Sequence, residues 1–376
     1  MKVLILSCNT GGGHNAAARA IAEAFRAHGD EAVVLDYLKL AGENVSKTVG
    51  NVYVETVKLV PGLFGLVYKL GMLVSRILRR SPVYYVNGKM AKYLRIYLKE
   101  HPADVILMPH LYPAETITYM KRKGMELPLT IAVMTDYTCI PFWEETDCDY
   151  YVIPQESQTK EFIKRGIPEG KLYAAGIPVA AACSGSIGKR EAREQLGLEP
   201  KKRYILMAGG SMGAGAMGRL VTLLLGRLRK NEHLLLICGS NRKLETHLKK
   251  VYGEDSRVTV LGSVNNMPLY LKACDVIYTK PGGLTSTEAA VAGIPIVHTK
   301  PIPGCETKNR SFFRKNGMSV TAYTKYGLVR KGLRLLREPE LGKKMTDAQS
   351  HVIGKDSAEK IYRFVTEKLE RRTFGE

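Results

Sequence analysis

His14 is the first residue of this chain whose type and setting suggest chemistry. It follows three consecutive glycines, Gly11–Gly13, in the stretch "TGGGHNAAAR", directly behind the apolar run Val3–Leu6. An imidazole titrates near neutral pH and can take or give a proton there. Glycines packed beside it let a ligand come close to the backbone. His110, ahead of Leu-Tyr-Pro, and Asp136, in "VMTDYT", also stand at the ends of apolar runs. The opening stretch reads in two other ways. Gly11-x-Gly13-x-x-Ala16 fits the dinucleotide fingerprint, with Asp36 placed as a ribose-binding acid, which points to a nicotinamide or flavin oxidoreductase. The glycines can also form a bare turn, with His14 only an early helix residue.

A phosphate site is legible in "YTKPGGLTSTEAAVAGIP", Tyr278–Pro295. A strand is expected to end at Thr279, and a helix to begin near Thr285 and stop at Gly293. The free N–H groups and positive dipole end of such a helix attract a diphosphate, and Glu288 can accept both hydroxyls of a ribose. Thr285-x-x-Glu288 is equally a capping box that needs no ligand. Asp147-x-Asp149 has the form of a metal-binding pair, but it precedes the apolar run Tyr150–Ile153 beside Glu144 and Glu145, so it reads as a solvated strand entrance. No metal is assigned.

These residues need elements to position them. Strands are expected at Lys2–Ser7, Ala32–Asp36, Val105–Met108, Leu129–Met134 and Tyr150–Ile153, with a helix at Asn15–Ala27 stopped by Gly29. After the turn-prone "GIPVAAACSGSIGK" a second series begins: Arg203–Ala208, the glycine-rich "GGSMGAGAMG", Leu234–Cys238, Val258–Leu261, Asp275–Thr279 and Pro295–Thr299. Alternating strands and helices predict two doubly wound parallel sheets facing a central cleft, since open α/β sheets bind ligands at their carboxyl edges. The expected domains are 1–180 and 190–355, followed by a C-terminal helix within 356–376.

The 376 residues carry 56 Lys and Arg against 36 Asp and Glu, a net charge of +20 that calls for an anionic partner. Seven scattered cysteines without a C-x-x-C pair argue for a reducing compartment rather than disulfides or zinc. No apolar run reaches the roughly 18 residues of a membrane span, and the start is too short for a signal peptide. A cytoplasmic protein is expected. From Thr56 to Lys99 there are nine Lys or Arg and no acid, interleaved with Leu, Val, Phe, Tyr and Met. Basic residues such as Arg76, Arg79 and Arg80 beside an apolar face suit an anionic membrane surface, on the inner face of the cell membrane. The scattered aromatics form no stacking platform for nucleic acid. A core helix with a solvated basic face is the competing reading.

"GGGH", "GGSMG", "VLGSVNNMPLYLKACDVIYTKPGGLTSTEA" and "KPIPGCETKN" occur in this order over nearly the whole chain. Together they resemble the monogalactosyldiacylglycerol synthase and processive diacylglycerol glucosyltransferase family and, more distantly, the peptidoglycan N-acetylglucosaminyltransferase MurG. The resemblance implies a GT-B fold and inverting transfer of glucose or galactose, from UDP-glucose or UDP-galactose to the free hydroxyl of diacylglycerol, with no cofactor or essential metal. A polyprenyl-linked acceptor is the alternative within the class.

Carried onto this chain, the resemblance places the uridine ribose on Glu288 and the diphosphate on Gly282, Gly283 and Thr285, with Gly210, Ser211 and Gly213 opposite. Val264 and Asn265 would read uracil, with Met267 packed nearby. Cys305 and Glu306, in the loop from Pro303, would meet the sugar hydroxyls, with Asn309 behind them. Family members commonly carry Gln at the position of Cys305, and a thiol replaces an amide poorly; Glu306 remains to bind a hydroxyl pair. His14 becomes the expected base, Asp136 its partner or alternative, and Gly12, Gly13 and His110 the acceptor surface.

Overall fold

A computed structural model describes residues 1–9, 12–46, 48, 70–71, 73–74, 80–209 and 217–374. The chain divides into two compact units. The first comprises Met1–Val179, Pro303–Cys305 and Asp356–Glu376, and the second Ala180–Ile302 and Glu306–Lys355.

The first unit is built on strands β1 (Lys2–Ser7), β2 (Glu31–Asp36), β3 (Val105–Met108), β4 (Leu129–Val133), β5 (Tyr150–Val152) and β6 (Leu172–Tyr173). They form one parallel sheet in the order β2-β1-β3-β4-β5-β6. Both faces are covered, which is why β1 and β3 read as unbroken apolar runs. Along β1 the side chains alternate. Val3 and Ile5 meet Ile21 and Phe25 of the Gly12–Ala27 helix on one face, while Leu4 and Leu6 meet Leu94, Ile117 and Phe162 on the other. Full burial of a side chain such as Phe25 contributes about 1.5–3 kcal/mol. Gly29 ends the first helix at φ 83°, a conformation glycine adopts without strain. The Ser357–Phe374 helix lays Ile361, Phe364 and Val365 into the same core as Val3 and Ile5, and Glu359 meets His28.

The second unit holds β7 (Arg203–Ala208), β8 (Glu232–Ile237), β9 (Val258–Leu261), β10 (Val276–Thr279) and β11 (Ile296–His298), parallel in the order β11-β10-β7-β8-β9. Its core joins Ile205, Leu234, Val276 and Tyr278 to Leu220, Leu224, Leu328 and Leu336 of flanking helices.

Three local expectations change. The first helix starts at Gly12, not Asn15, so Gly12, Gly13 and His14 form its opening turn. The helix after β10 starts at Gly283, not near Thr285. A short helix, Ala181–Ser184, occupies part of the stretch expected to be a plain linker.

Candidate functional site

In the first unit the strand order reverses between β1 and β3, the place where open parallel sheets bind ligands. His14 stands in the helix turn that follows β1. His110 caps the Leu111–Arg122 helix that follows β3. The reversal brings the two imidazoles together, with ring centroids 4.5 Å apart and nearly perpendicular. Thr135 and Asp136, beyond the end of β4, complete the group.

The hydrogen bonds fix both tautomers. His14 Nδ1 lies 2.8 Å from the Pro109 carbonyl oxygen, which only accepts, so Nδ1 carries the proton. Thr135 Oγ1 sits 3.1 Å from the same nitrogen. In the neutral ring Nε2 is then a lone-pair acceptor that neither partner engages. His110 is the reverse: its Nδ1 accepts the Tyr112 N–H at 3.1 Å, which leaves its proton on Nε2. Burial lowers the pKa of His14 below the ordinary 6.5, against the Asp136 charge and the Pro109 contact, which raise it. The positive end of its helix acts in the same direction as burial. Burial pushes His110 further down, with His14 adding to the effect. Both rings are therefore neutral at pH 7, and His14 has the tautomer of a general base. Asp36, the ribose-binding acid of the dinucleotide reading, instead takes the Ser46 hydroxyl at 2.5 Å.

In the second unit the strand order reverses between β7 and β10. After β10 the backbone turns through Lys280-Pro281-Gly282 and enters the Gly283–Ala292 helix. Gly282 is the N-cap and has no side chain with which to cap the first-turn N–H groups of Gly283, Leu284 and Thr285. Thr285 is thus the third helical residue and not the cap, which removes the capping-box reading of Thr285 and Glu288. Both are partly exposed and three residues apart on one helix face. Gly293 closes the helix at φ 72°. Inside, Ser286 Oγ meets His298 Nε2 at 3.0 Å and ties the first turns to β11; burial drives that histidine to about 3, with Arg310 adding to the shift.

Glu306, in the first turn of the Cys305–Lys315 helix, is 5% exposed and closely held. Its Oε1 takes the Lys280 ammonium at 2.6 Å and its Oε2 the Ile302 N–H at 2.8 Å. An added Cβ on Gly282 would lie 3.9 Å from that carboxylate, so the ion pair flanks the glycine turn. Lys280 is a charged residue of this turn that the sequence alone did not single out, although a lysine between a strand end and a Gly-Gly turn is a phosphate-site signal. Asn309 is fully buried one helical turn beyond Cys305. Val264 and Asn265 lie between β9 and the Met267–Ala273 helix, which packs on the Gly283–Ala292 helix and so brings that connection to the same sheet edge.

Gly210, Ser211 and Gly213, like Arg76 and Arg79, fall outside the described residues. Arg80 is described, exposed, with its guanidinium 5.7 Å from the Tyr84 ring centroid. Beyond it, Tyr85, Val86 and Ile96 are each more than half exposed on the same basic stretch. Asp149 is held by Lys121 at 2.6 Å and by Thr130, and Asp147 by Lys171 at 2.8 Å. Among the described residues no cluster of three potential metal ligands occurs, and no helix is long and apolar enough to cross a membrane.

Residues 14–179 match the family model for monogalactosyldiacylglycerol (MGDG) synthase, and residues 188–352 that for glycosyl transferases group 1. The processive diacylglycerol beta-glucosyltransferase of Staphylococcus saprophyticus is 26% identical over 342 residues, covering 90% of this chain and 85% of that protein. Its counterpart in Bacillus pumilus is 24% identical over 370 residues, covering 98% and 95%. Among solved structures, S. aureus MnaA with UDP superposes at TM-score 0.64 and 14% identity, covering 98% of this chain and 97% of that one. Acinetobacter baumannii MurG does so at 0.60 and 16%, covering 97% and 99%. The two parallel-sheet α/β units have the GT-B fold.

Proposed function

The chain belongs to the monogalactosyldiacylglycerol synthase and processive diacylglycerol glucosyltransferase family, and from that premise we propose how its residues divide the reaction. It is a UDP-sugar-dependent hexosyltransferase acting on diacylglycerol. In the proposed step His14 Nε2 takes the proton from the free hydroxyl of diacylglycerol. That oxygen attacks the anomeric carbon of the donor from the face opposite UDP, the carbon–phosphate oxygen bond breaks, and the configuration inverts. The donor is UDP-glucose or UDP-galactose. The observation that carries this assignment is the Pro109 carbonyl on His14 Nδ1, which leaves the other nitrogen as acceptor. Asp136 stabilises the imidazolium as it forms, and His110 lines the acceptor surface beside His14.

Gly282, Gly283 and Thr285 are proposed to hold the diphosphate through first-turn N–H groups, with the Lys280–Glu306 ion pair beside the turn. Preorganised donors of this kind favour the leaving group as charge develops on it. No divalent metal is assigned to this step. Glu288 would hold the ribose hydroxyls. Glu288→Ala should weaken UDP binding about 10- to 100-fold, the loss of one or two hydrogen bonds to a charged group. Calorimetric titration with UDP checks this, and an unchanged affinity would remove Glu288 from the ribose site. Val264, Asn265 and Met267 are assigned to the uracil, and Cys305 and Glu306 to the hexose, with the buried Asn309 behind them. Gly12, Gly13, Gly210, Ser211 and Gly213 keep their sequence-based assignments.

The basic stretch ending in the Pro82–Gly88 and Ala91–Glu100 helices is proposed to rest on the anionic inner face of the cell membrane, where the acceptor resides. Each basic residue near such a surface contributes about 1 kcal/mol. Changing Arg76, Arg79 and Arg80 together to Gln should therefore lower partition to anionic liposomes at least tenfold. Flotation with and without anionic lipid tests it; equal partition of variant and wild type would refute the assignment.

A further inference from the structure

The second unit carries an arginine-lined groove at the sheet edge opposite the nucleotide turn. Gly282 follows the carboxyl end of β10, whereas this groove opens at the amino end of β8, where the chain enters from the Met217–Leu225 helix. Its volume is about 540 Å³. Arg227 and Arg229 reach it from that connection, and Arg330, Arg334 and Arg337 from the Lys325–Arg337 helix.

Two of these five are neutralised. Arg337 grips the buried Glu232 with two bonds of 2.8 Å, and Arg334 grips Glu338 with two of 2.9 Å. Among the described residues no carboxylate pairs with Arg227, Arg229 or Arg330. Arg227 instead lies over the Tyr326 ring, 5.6 Å from its centroid, and that ring is 64% exposed. A basic helix face bathed in water would spread its charges apart. Here cations from two separate elements converge on one concavity that also has an aromatic wall. Such a concavity focuses positive potential, and guanidinium forks match phosphate oxygens pairwise.

We propose that this groove binds a phosphate group carrying two negative charges, borne either by a soluble phosphoester or by a phosphomonoester lipid headgroup. Arg229 and Arg330 grip the oxygens, and Tyr326 covers the organic part. The test compares the full-length wild type with the double variant Arg229→Gln/Arg330→Gln, both positions being exposed and remote from the glycine turn. Inorganic pyrophosphate is titrated with UDP present at saturation, and flotation uses vesicles with and without phosphatidic acid.

A soluble ligand class predicts pyrophosphate binding that the double variant weakens at least tenfold. A lipid ligand class predicts the loss in phosphatidic acid partition instead. In both cases UDP affinity and thermal midpoint stay at wild-type values. Identical pyrophosphate isotherms and identical partition in the two proteins would overturn the proposal.

Discussion

His14→Ala is expected to lower kcat by about 10²- to 10⁴-fold while leaving UDP affinity unchanged, since the imidazole is placed to move a proton and not to hold the nucleotide. The pH dependence has a definite sign. Burial holds the His14 pKa below 6.5, so the base form is present at neutral pH and kcat/KM should be flat there. The acid limb should appear below pH 6.5, as protons occupy Nε2. The Asp136 charge raises that pKa, so Asp136→Asn must move the acid limb to lower pH as well as slow the reaction. A limb that moves upward in Asp136→Asn, or a His14→Ala enzyme at full rate, would reduce the opening turn to a structural role.

The second large effect concerns stability. Glu115 of the Leu111–Arg122 helix is fully buried, and among the described residues neither of its carboxyl oxygens has a hydrogen-bond partner within normal distance. Burial first, and then the neighbouring Glu145, push its pKa up to about 10; Arg122 opposes them. Glu145 is already committed, taking the Ser81 N–H at 2.6 Å and the Ser81 hydroxyl. Between the ordinary carboxyl range and pH 10 the folded state therefore holds a proton that the unfolded chain releases. The stability that protonated Glu115 provides is complete below about pH 4.5 and declines as pH rises toward 10. Glu115→Gln stays neutral throughout and lacks this decline. At pH 7 the variant should be more stable than wild type by roughly 3 kcal/mol, relative to their difference at pH 4. Denaturant midpoints across that pH range measure it, and a difference independent of pH would contradict the assignment.

Much of the fold was legible because both sheets are covered on both faces. Val3–Leu6, Val105–Met108 and Leu234–Ile237 are strands that had to be apolar throughout, and they stand out in the sequence. The histidine pairing was harder to see. His14 and His110 are 96 positions apart, and only the reversal of strand order between β1 and β3 puts their rings in contact. Helix starts were misplaced by two or three residues at Gly12 and Gly283, since glycine is a weak helix former and propensity argues for a later start. The short β6 has two residues and no periodicity to detect. Glu115 looks like a solvated helix residue in "LYPAETITYMKR", and nothing local announces that its helix is enclosed. Lys280 was visible but unweighted, because its meaning comes from Glu306, 26 residues later.

The central claim, that the His14 imidazole takes the proton of the acceptor hydroxyl during hexosyl transfer, is tested most directly by mass spectrometry of lipid products. Wild type and His14→Ala are incubated with diacylglycerol and UDP-glucose or UDP-galactose in separate reactions. We predict hexosyl-diacylglycerol from one of the two donors with wild type, and its loss in the variant with UDP binding intact. No glycolipid from either donor, or equal yield from the variant, would contradict it.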